Sequence, residues 1–225
     1  ISCSLVGSEM CIRDRHIHII DAELMGKGEK EKKDLYIEGI QNNGIINHYE
    51  YIINSEGTIE IRHVLKPEGK MPLWFPRIGL TLTVSDALDQ VKWYGRGPQE
   101  NYPDRKTGYP TGIYASTVQA MYEPYLMPQD YGLRTDVRWL QLTTDKGIGL
   151  QFKMNEWFNF NIYPYSTDNL TKAMYTYQLQ KQKGMTLNLD YATTGVGCTA
   201  RGVFGAYKAM PQEYRRTISI RPMMK

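Results

Sequence analysis

The sequence predicts an all-β protein of antiparallel sheets with one short helix. Three observations carry that prediction. Apolar residues recur with period two along most of the chain after Leu35, Gly- and Asn/Asp-containing turns separate the alternating runs, and only one stretch has helical spacing. The 17 tyrosines and 4 tryptophans fit the same reading, since aromatic side chains pack well on a pleated surface.

In chain order, Ile59, Ile61 and Leu65 share one strand face while Glu60 and Arg62 take the other. Ile78, Leu80, Leu82 and Val84 then alternate with Arg77, Gly79, Thr81 and Thr83. Ile148, Leu150, Phe152 and Met154 form a third run, and Phe158, Phe160 and Ile162 a fourth, interleaved with Asn159 and Asn161. Met185, Leu187, Leu189 and Tyr191 alternate with Thr186, Asn188 and Asp190, and Ile218 and Ile220 mark a last strand. One-sided alternation predicts sheets with one face packed and one face wet. Residues 54–57 (NSEG) and 145–147 (DKG) are short enough to close hairpins. The helix is predicted after Ser166 or Thr167 as cap, with Asp168 in its first turn and Leu170, Ala173 and Met174 as its apolar stripe.

A length of 225 residues suits one large domain, and a net charge of +3 is nearly neutral for that size. Basic and acidic residues are interspersed, which argues against a nucleic-acid partner, and no apolar run approaches a membrane span. Cys3, Cys11 and Cys198 match no metal or disulfide spacing. Residues 1–15 (ISCSLVGSEMCIRDR) lack the n-region and h-region of a secretory signal and resemble a translated sequencing adaptor. They are set aside, and the chain is read as a truncated frame. Residues 26–33 (GKGEKEKK) read as a solvated loop, and the three prolines of residues 66–76 mark a crossing between sheets. The division that follows is 1–15 as a non-native segment, 16–70 as N-terminal strands, and 71–225 as the main β domain.

Most devices of catalysis are missing. All four histidines, His16, His18, His48 and His63, lie in the first third, so a Ser-His-Asp or Cys-His arrangement has no base beyond Pro72. His16 and His18 lack a third metal ligand at useful spacing. Gly95 and Gly97 lack the third glycine of a dinucleotide cradle. Glu100, Asp104, Asp130, Asp136, Glu156 and Asp190 are available carboxylates, but no spacing selects an acid and a nucleophile for glycoside hydrolysis. Each reads as a turn, cap or ion-pair residue, and no catalytic residue is assigned in this chain.

The densest chemistry lies in residues 91–108 (VKWYGRGPQENYPDRKTG), where Gly, Pro, aromatic and charged residues alternate. On physical grounds it is a non-repetitive loop leaving a strand, either a buried structural knot or one wall of a site. The segment closely resembles the pattern W-x-G-x-G-P-x-E-x-Y-x-D-R of the small-chain, or fifth, domain of the β-galactosidases of glycoside hydrolase family two. Trp93, Gly95, Gly97, Pro98, Glu100, Tyr102, Asp104 and Arg105 carry the resemblance. Residues 72–80 (PLWFPRIGL), 124–142 (PYLMPQDYGLRTDVRWLQL), 158–160, 163–166, 187–190 and 195–197 follow in that family's order. The resemblance is strong over residues 66–222 and weaker over 17–66.

What it implies is a large antiparallel β supersandwich similar to the galactose mutarotase fold. The implied parent is a retaining bacterial enzyme that hydrolyses terminal β-D-galactosides. By the same resemblance, its catalytic glutamates and a divalent cation (Mg or Ca) belong to a barrel of the same polypeptide, so this segment alone is expected to be inactive. The implied partners are that barrel and a β-galactoside sugar. In the family, the loop after a Gly-Val/Ile-Gly-Gly run brings a platform tryptophan to the sugar. Here Gly195-Val196-Gly197 is followed by Cys198 and then residues 199–204 (TARGVF), without that tryptophan. Arg201 and Phe204 are the candidate replacements, one to bond hydroxyls and one to stack on a ring. The competing reading makes Phe204 or Tyr207 core and Arg201 solvated. Two other functions stay open: a free-standing carbohydrate-binding β-sandwich module, and a mutarotase-type epimerase, which the lack of histidine after His63 disfavours.

Overall fold

A computed structural model describes residues 19–20, 44–197 and 202–224. His16, His18, the 26–33 charged run, Cys198 and Arg201 lie outside the described residues. The strands are β1 (Ile19–Ile20), β2 (Gly44–Ile53), β3 (Ile59–Glu68), β4 (Arg77–Val84), β5 (Gln90–Arg96), β6 (Thr111–Thr117), β7 (Arg134–Thr143), β8 (Gly149–Tyr165), β9 (Lys181–Thr193) and β10 (Tyr214–Met223). One α-helix, α1 (Thr167–Lys172), follows β8. The described residues are all-β with a single short α-helix, as the alternation predicts. Apart from a parallel bridge between β1 and β2, the pairings are antiparallel.

Both predicted hairpins form. Between β2 and β3, the Asn54 side chain accepts hydrogen bonds from the amides of Glu56 and Thr58, each at 3.0 Å, and Gly57 takes φ +77°. Between β7 and β8, Gly147 at φ +78° donates its amide to Thr144, a left-handed turn position that glycine occupies without strain. The helix begins where the sequence places it. Ser166 caps it by accepting from the amide of Asn169 at 3.1 Å, Asp168 lies in the first turn and Leu170 is buried.

The strand path runs β1-β2-β3-β10-β8-β7-β5-β6, and β9, with β4 beyond it, joins at β8. The 17-residue β8 makes this fork possible. Its first part pairs with β10 through Gly149–Met154, and its later part pairs with β9 from Asn159 onward. The two arms bring their apolar faces into one core, in which Ile61, Leu65 and Ile218 meet Leu80, Leu187 and Leu189 around Trp93, Leu140, Phe152 and Phe160. The proline-marked stretch after β3 leads the chain from one arm to the other.

The expectation of a wet outer face fails on β4, β8 and β9. Arg77, Asn161, Asn188 and Asp190 are all at most 3% exposed. The segment between β6 and β7 reaches over this face, where Asp130 and Tyr131 bond to its polar residues, and the buried groups satisfy one another. Arg77 donates to Asp190 at 2.6 and 3.1 Å, to Asn161 at 3.2 Å and to Asp130 at 3.3 Å. Asn161 donates to Asp130 and to the carbonyl of Tyr131, and Asn188 donates to Asn161. Burial opposes the charge on Arg77, but Asp130 and Asp190 outweigh it and hold the guanidinium above its ordinary pKa. Burial lifts the Asp190 carboxyl to about 6 against the pull of Arg77, so the pair is ionised at neutral pH.

A second buried polar group ties the other arm to β9. His63 is 1% exposed and stacks on Tyr49 at 4.1 Å. The Asn47 side-chain oxygen lies 2.9 Å from its Nε2, and the Tyr191 hydroxyl lies 2.6 Å from its Nδ1. Since the Asn47 amide donates to Ile45, its oxygen accepts, which places the imidazole proton on Nε2. Burial, helped by the charge of His48, pulls the His63 pKa down to about 4.

Two predictions follow from these buried groups. Asp190→Ala leaves a buried guanidinium short of its main partner and should cost about 3–5 kcal/mol in denaturant unfolding. His63 is neutral in the folded chain down to about pH 4, whereas the unfolded imidazole protonates near 6.5. The unfolded state therefore binds the proton first, and this contribution is lost as pH falls from 6.5 towards 4. Asp190 titrates in the same window with the opposite sign. The measurement is accordingly the difference between the chain and its His63→Gln variant, which should change by about 2–3 kcal/mol between pH 7 and pH 4.5.

Candidate functional site

The 91–108 segment begins as strand β5 and becomes a loop only after Arg96, so Trp93 and Gly95 are strand residues. Trp93 is fully buried. It donates Nε1–H to the Arg96 carbonyl at 2.9 Å, packs on Tyr114 and Phe160, and lies under the Arg134 guanidinium at 5.3 Å. Gly95 and Gly97 exist because neighbours come close. A Cβ on Gly95 would sit 2.9 Å from the Val137 Cα, and one on Gly97 would sit 2.8 Å from the Tyr114 ring. The Gly97–Pro98 peptide bond is cis.

Beyond the strand, Glu100 is the hub. Its buried carboxylate accepts from the Tyr102 hydroxyl at 3.0 Å, from the Gly132 amide at 2.9 Å and from the Tyr125 hydroxyl. Arg105 lies outside this knot, 3.9 Å from Glu100 and 5.6 Å from the Tyr102 ring centre. Burial first, then the charge of Glu100, pushes the Tyr102 hydroxyl pKa up, so it stays a proton donor to that carboxylate. The loop returns to β7 through Asp136, whose carboxylate accepts from Arg96 Nε and Lys106 Nζ, both at 2.6 Å. Against burial, these two cations hold the Asp136 carboxyl below its usual range. Asp136 itself has φ 55°, at the bulge between Arg134 and Val137.

Two motifs distant in the chain meet at Asp104. Its carboxylate accepts from the amide of Val196 at 3.1 Å and of Gly197 at 2.7 Å, two successive N–H groups forming a small anion cradle. A Cβ on Gly195 would lie 2.3 Å from the Asp104 carboxyl carbon, so only glycine permits the approach. The strand end is laced further: the Thr194 hydroxyl donates to the Phe75 carbonyl at 2.5 Å and accepts from the Ala209 amide at 2.9 Å. The Gly195 amide donates to the Tyr207 carbonyl at 2.8 Å.

On this laced backbone several apolar side chains face outward. Leu73, Val196, Phe204, Tyr207 and Met210 are all more than two-fifths exposed, and Phe204 reaches 68%. Phe204 therefore does not fill the core. It stands at the head of a single 3-10 turn, Gly205–Tyr207, which is tied to Gly195. The structure thus brings Asp104, Gly195, Gly197 and Phe204 to one edge, and gathers Trp93, Gly95, Gly97, Glu100 and Tyr102 into a buried knot. Each candidate carboxylate is engaged: Glu156 pairs with Arg216 at 2.9 Å, and the others are held as described above. The described residues contain no group of three or more His, Cys, Asp or Glu able to hold a metal ion, and none of their helices is long and apolar enough to cross a membrane. Sequence reading missed the Arg77–Asp190 network. Its signal was the absence of Lys and Glu among the outward positions Thr186, Asn188 and Asp190 of β9.

Asp104→Ala should cost about 1–2 kcal/mol in urea unfolding, the loss of two amide hydrogen bonds to a charged group. Gly195→Ala should cost at least as much, because its methyl group displaces the same carboxylate. Combined with Asp104→Ala, the two losses should be clearly less than additive.

Comparison with known proteins places these features in a family. The family model for the β-galactosidase small chain matches residues 14–220. The β-galactosidase of Priestia megaterium is 38% identical over 147 residues, covering 65% of this chain and 14% of that protein. That of Vibrio cholerae is 39% identical over 122 residues, covering 54% of this chain and 11% of that protein. That of Pseudoalteromonas haloplanktis is 33% identical over 159 residues, covering 69% and 14% respectively. The matches thus span about one-seventh of the length of these relatives or less. This chain belongs to the β-galactosidase small-chain family.

Proposed function

We propose that this chain is the C-terminal small-chain portion of a retaining β-galactosidase, and that it packs on the enzyme's catalytic barrel and completes the pocket for terminal β-D-galactosides. The observation that carries the reading is the edge formed by residues 73–76, 194–197 and 204–210. Its backbone is locked by hydrogen bonds from Thr194, Gly195 and Asp104, yet its apolar side chains stand in solvent. Order without cover is what a surface prepared for a neighbour looks like, since clustered exposed apolar groups on a rigid frame mark an interaction site. The known relatives are several times longer than the matched region and carry the name β-galactosidase. In this reading the chain supplies shape and not chemistry. Phe204 offers its ring face to the sugar, Arg201 offers hydroxyl-directed donors, and the acid, the nucleophile and the divalent cation belong to the barrel.

The test is a chimera in which this chain replaces the matching segment of the Priestia megaterium enzyme. It should hydrolyse a chromogenic β-galactoside, and NMR of the first-formed product should show β-galactose. Phe204→Ala should raise KM about fivefold with a smaller change in kcat, as expected for lost stacking on the sugar. A chimera that assembles but shows no dependence of KM on either Phe204 or Arg201 would remove the pocket-wall role.

A further inference from the structure

We propose that a pocket between the β6–β7 connection and the start of β9 binds one neutral pyranose ring of a saccharide. The cavity has a volume of about 190 Å³, walled by Tyr122, Tyr131 and Tyr165, with Gln119, Thr176 and Lys181 as its polar rim. At ~30 Å³ per water that is the space of roughly six waters, which suits a single small ring and not a chain.

The phenol hydroxyls point to the ligand. Elsewhere in this tyrosine cluster the hydroxyls are used: Tyr102 and Tyr125 donate to Glu100, and Tyr163 accepts from Asn188. The hydroxyls of Tyr122, Tyr131 and Tyr165 make no hydrogen bond to any described residue, although Tyr131 is only 2% exposed. Tyr122 and Tyr131 meet edge to face with ring centres 5.3 Å apart. Burial first, then the neighbouring phenols Tyr165 and Tyr122, pushes the Tyr131 hydroxyl pKa up, so it remains a neutral donor. The partly exposed rings of Tyr122 and Tyr165, with the unused hydroxyls beside them, complement a pyranose, which presents apolar C–H faces and a girdle of hydroxyls. Outside the rim, Tyr175 and Tyr177 flank Thr176, stacked at 5.4 Å with planes 7° apart and mostly exposed, and they extend the aromatic wall. Lys181 is the single charged group of the lining.

This site rests on residues of this chain alone and lies apart from the Phe204 edge, so it does not depend on the barrel-packing reading. Its test is binding, not hydrolysis. Methyl β-galactopyranoside and methyl β-glucopyranoside are titrated into the full 225-residue chain by saturation-transfer NMR and calorimetry, with the fold followed by circular dichroism. Saturable binding is expected, weakened at least about tenfold by Tyr122→Ala and about threefold by Tyr131→Phe, which keeps the packing and removes one hydroxyl. Trp157→Ala should leave it unchanged. No saturable binding overturns the proposal. So does binding lost in Trp157→Ala, which marks non-specific stacking, or in Phe204→Ala, which places the sugar on the other edge. Saturation by galacturonate but not by the methyl glycosides overturns the neutral-ring assignment in favour of an anion held by Lys181.

Discussion

The ion pair between Arg77 and Asp190 is the constraint on which the rest of the architecture depends. A sheet that forks at β8 has to bury both faces of β9, and only one of those faces is apolar. The other face carries Thr186, Asn188 and Asp190, whose burial is tolerated because each polar group finds a partner. Arg77 reaches Asp190 on β9, Asn161 on β8 and Asp130 in the overlying segment at once. One planar guanidinium with several fixed donors suits that task in a way a lysine does not. The β4–β9 arm and the segment that covers it are therefore set in place together.

The same logic explains how a loop rich in glycine, proline and aromatic residues keeps one shape. Glu100 and Asp136 hold the 97–110 loop against β7 and the 125–132 segment, and Asp104, one turn further, grips the backbone after β9. The knot and the edge are successive parts of one device: Glu100 and Asp136 fix the loop, and Asp104 ties the loop to the backbone after β9. An apolar side chain on an already ordered backbone loses less entropy on meeting any partner.

The two apolar features of the surface differ in kind. The Phe204 edge is an exposed apolar cluster on a hydrogen-bonded backbone, suited to another protein surface or to the rim of a cleft. The Tyr122–Tyr131–Tyr165 pocket is concave and lined with unused hydroxyls, suited to a small polar ring. The first lies in connections outside the regular strands, and the second joins the β6–β7 connection to the ends of β8 and β9, where a stable β scaffold leaves the chain free to carry recognition.

Strand faces, hairpins and the helix cap were legible because they depend on neighbours within a few residues. Period two places Leu187 and Leu189 inward, Asn54 and Gly57 make a turn, and Ser166 caps the helix through Asn169. The motif residues from Trp93 to Arg105 were legible as a family pattern, but their roles were not. Asp104 acts on Gly197, 93 positions away, Arg77 on Asp190, 113 away, and Glu100 on Gly132, 32 away. The sequence by itself determined which residues alternate, turn and cap, and to which family the chain belongs. Only the tertiary structure decided which polar residues are buried, which carboxylates are cradled and which aromatics face outward. Those outcomes depend on partners brought together by the forked sheet, and no local spacing encodes them.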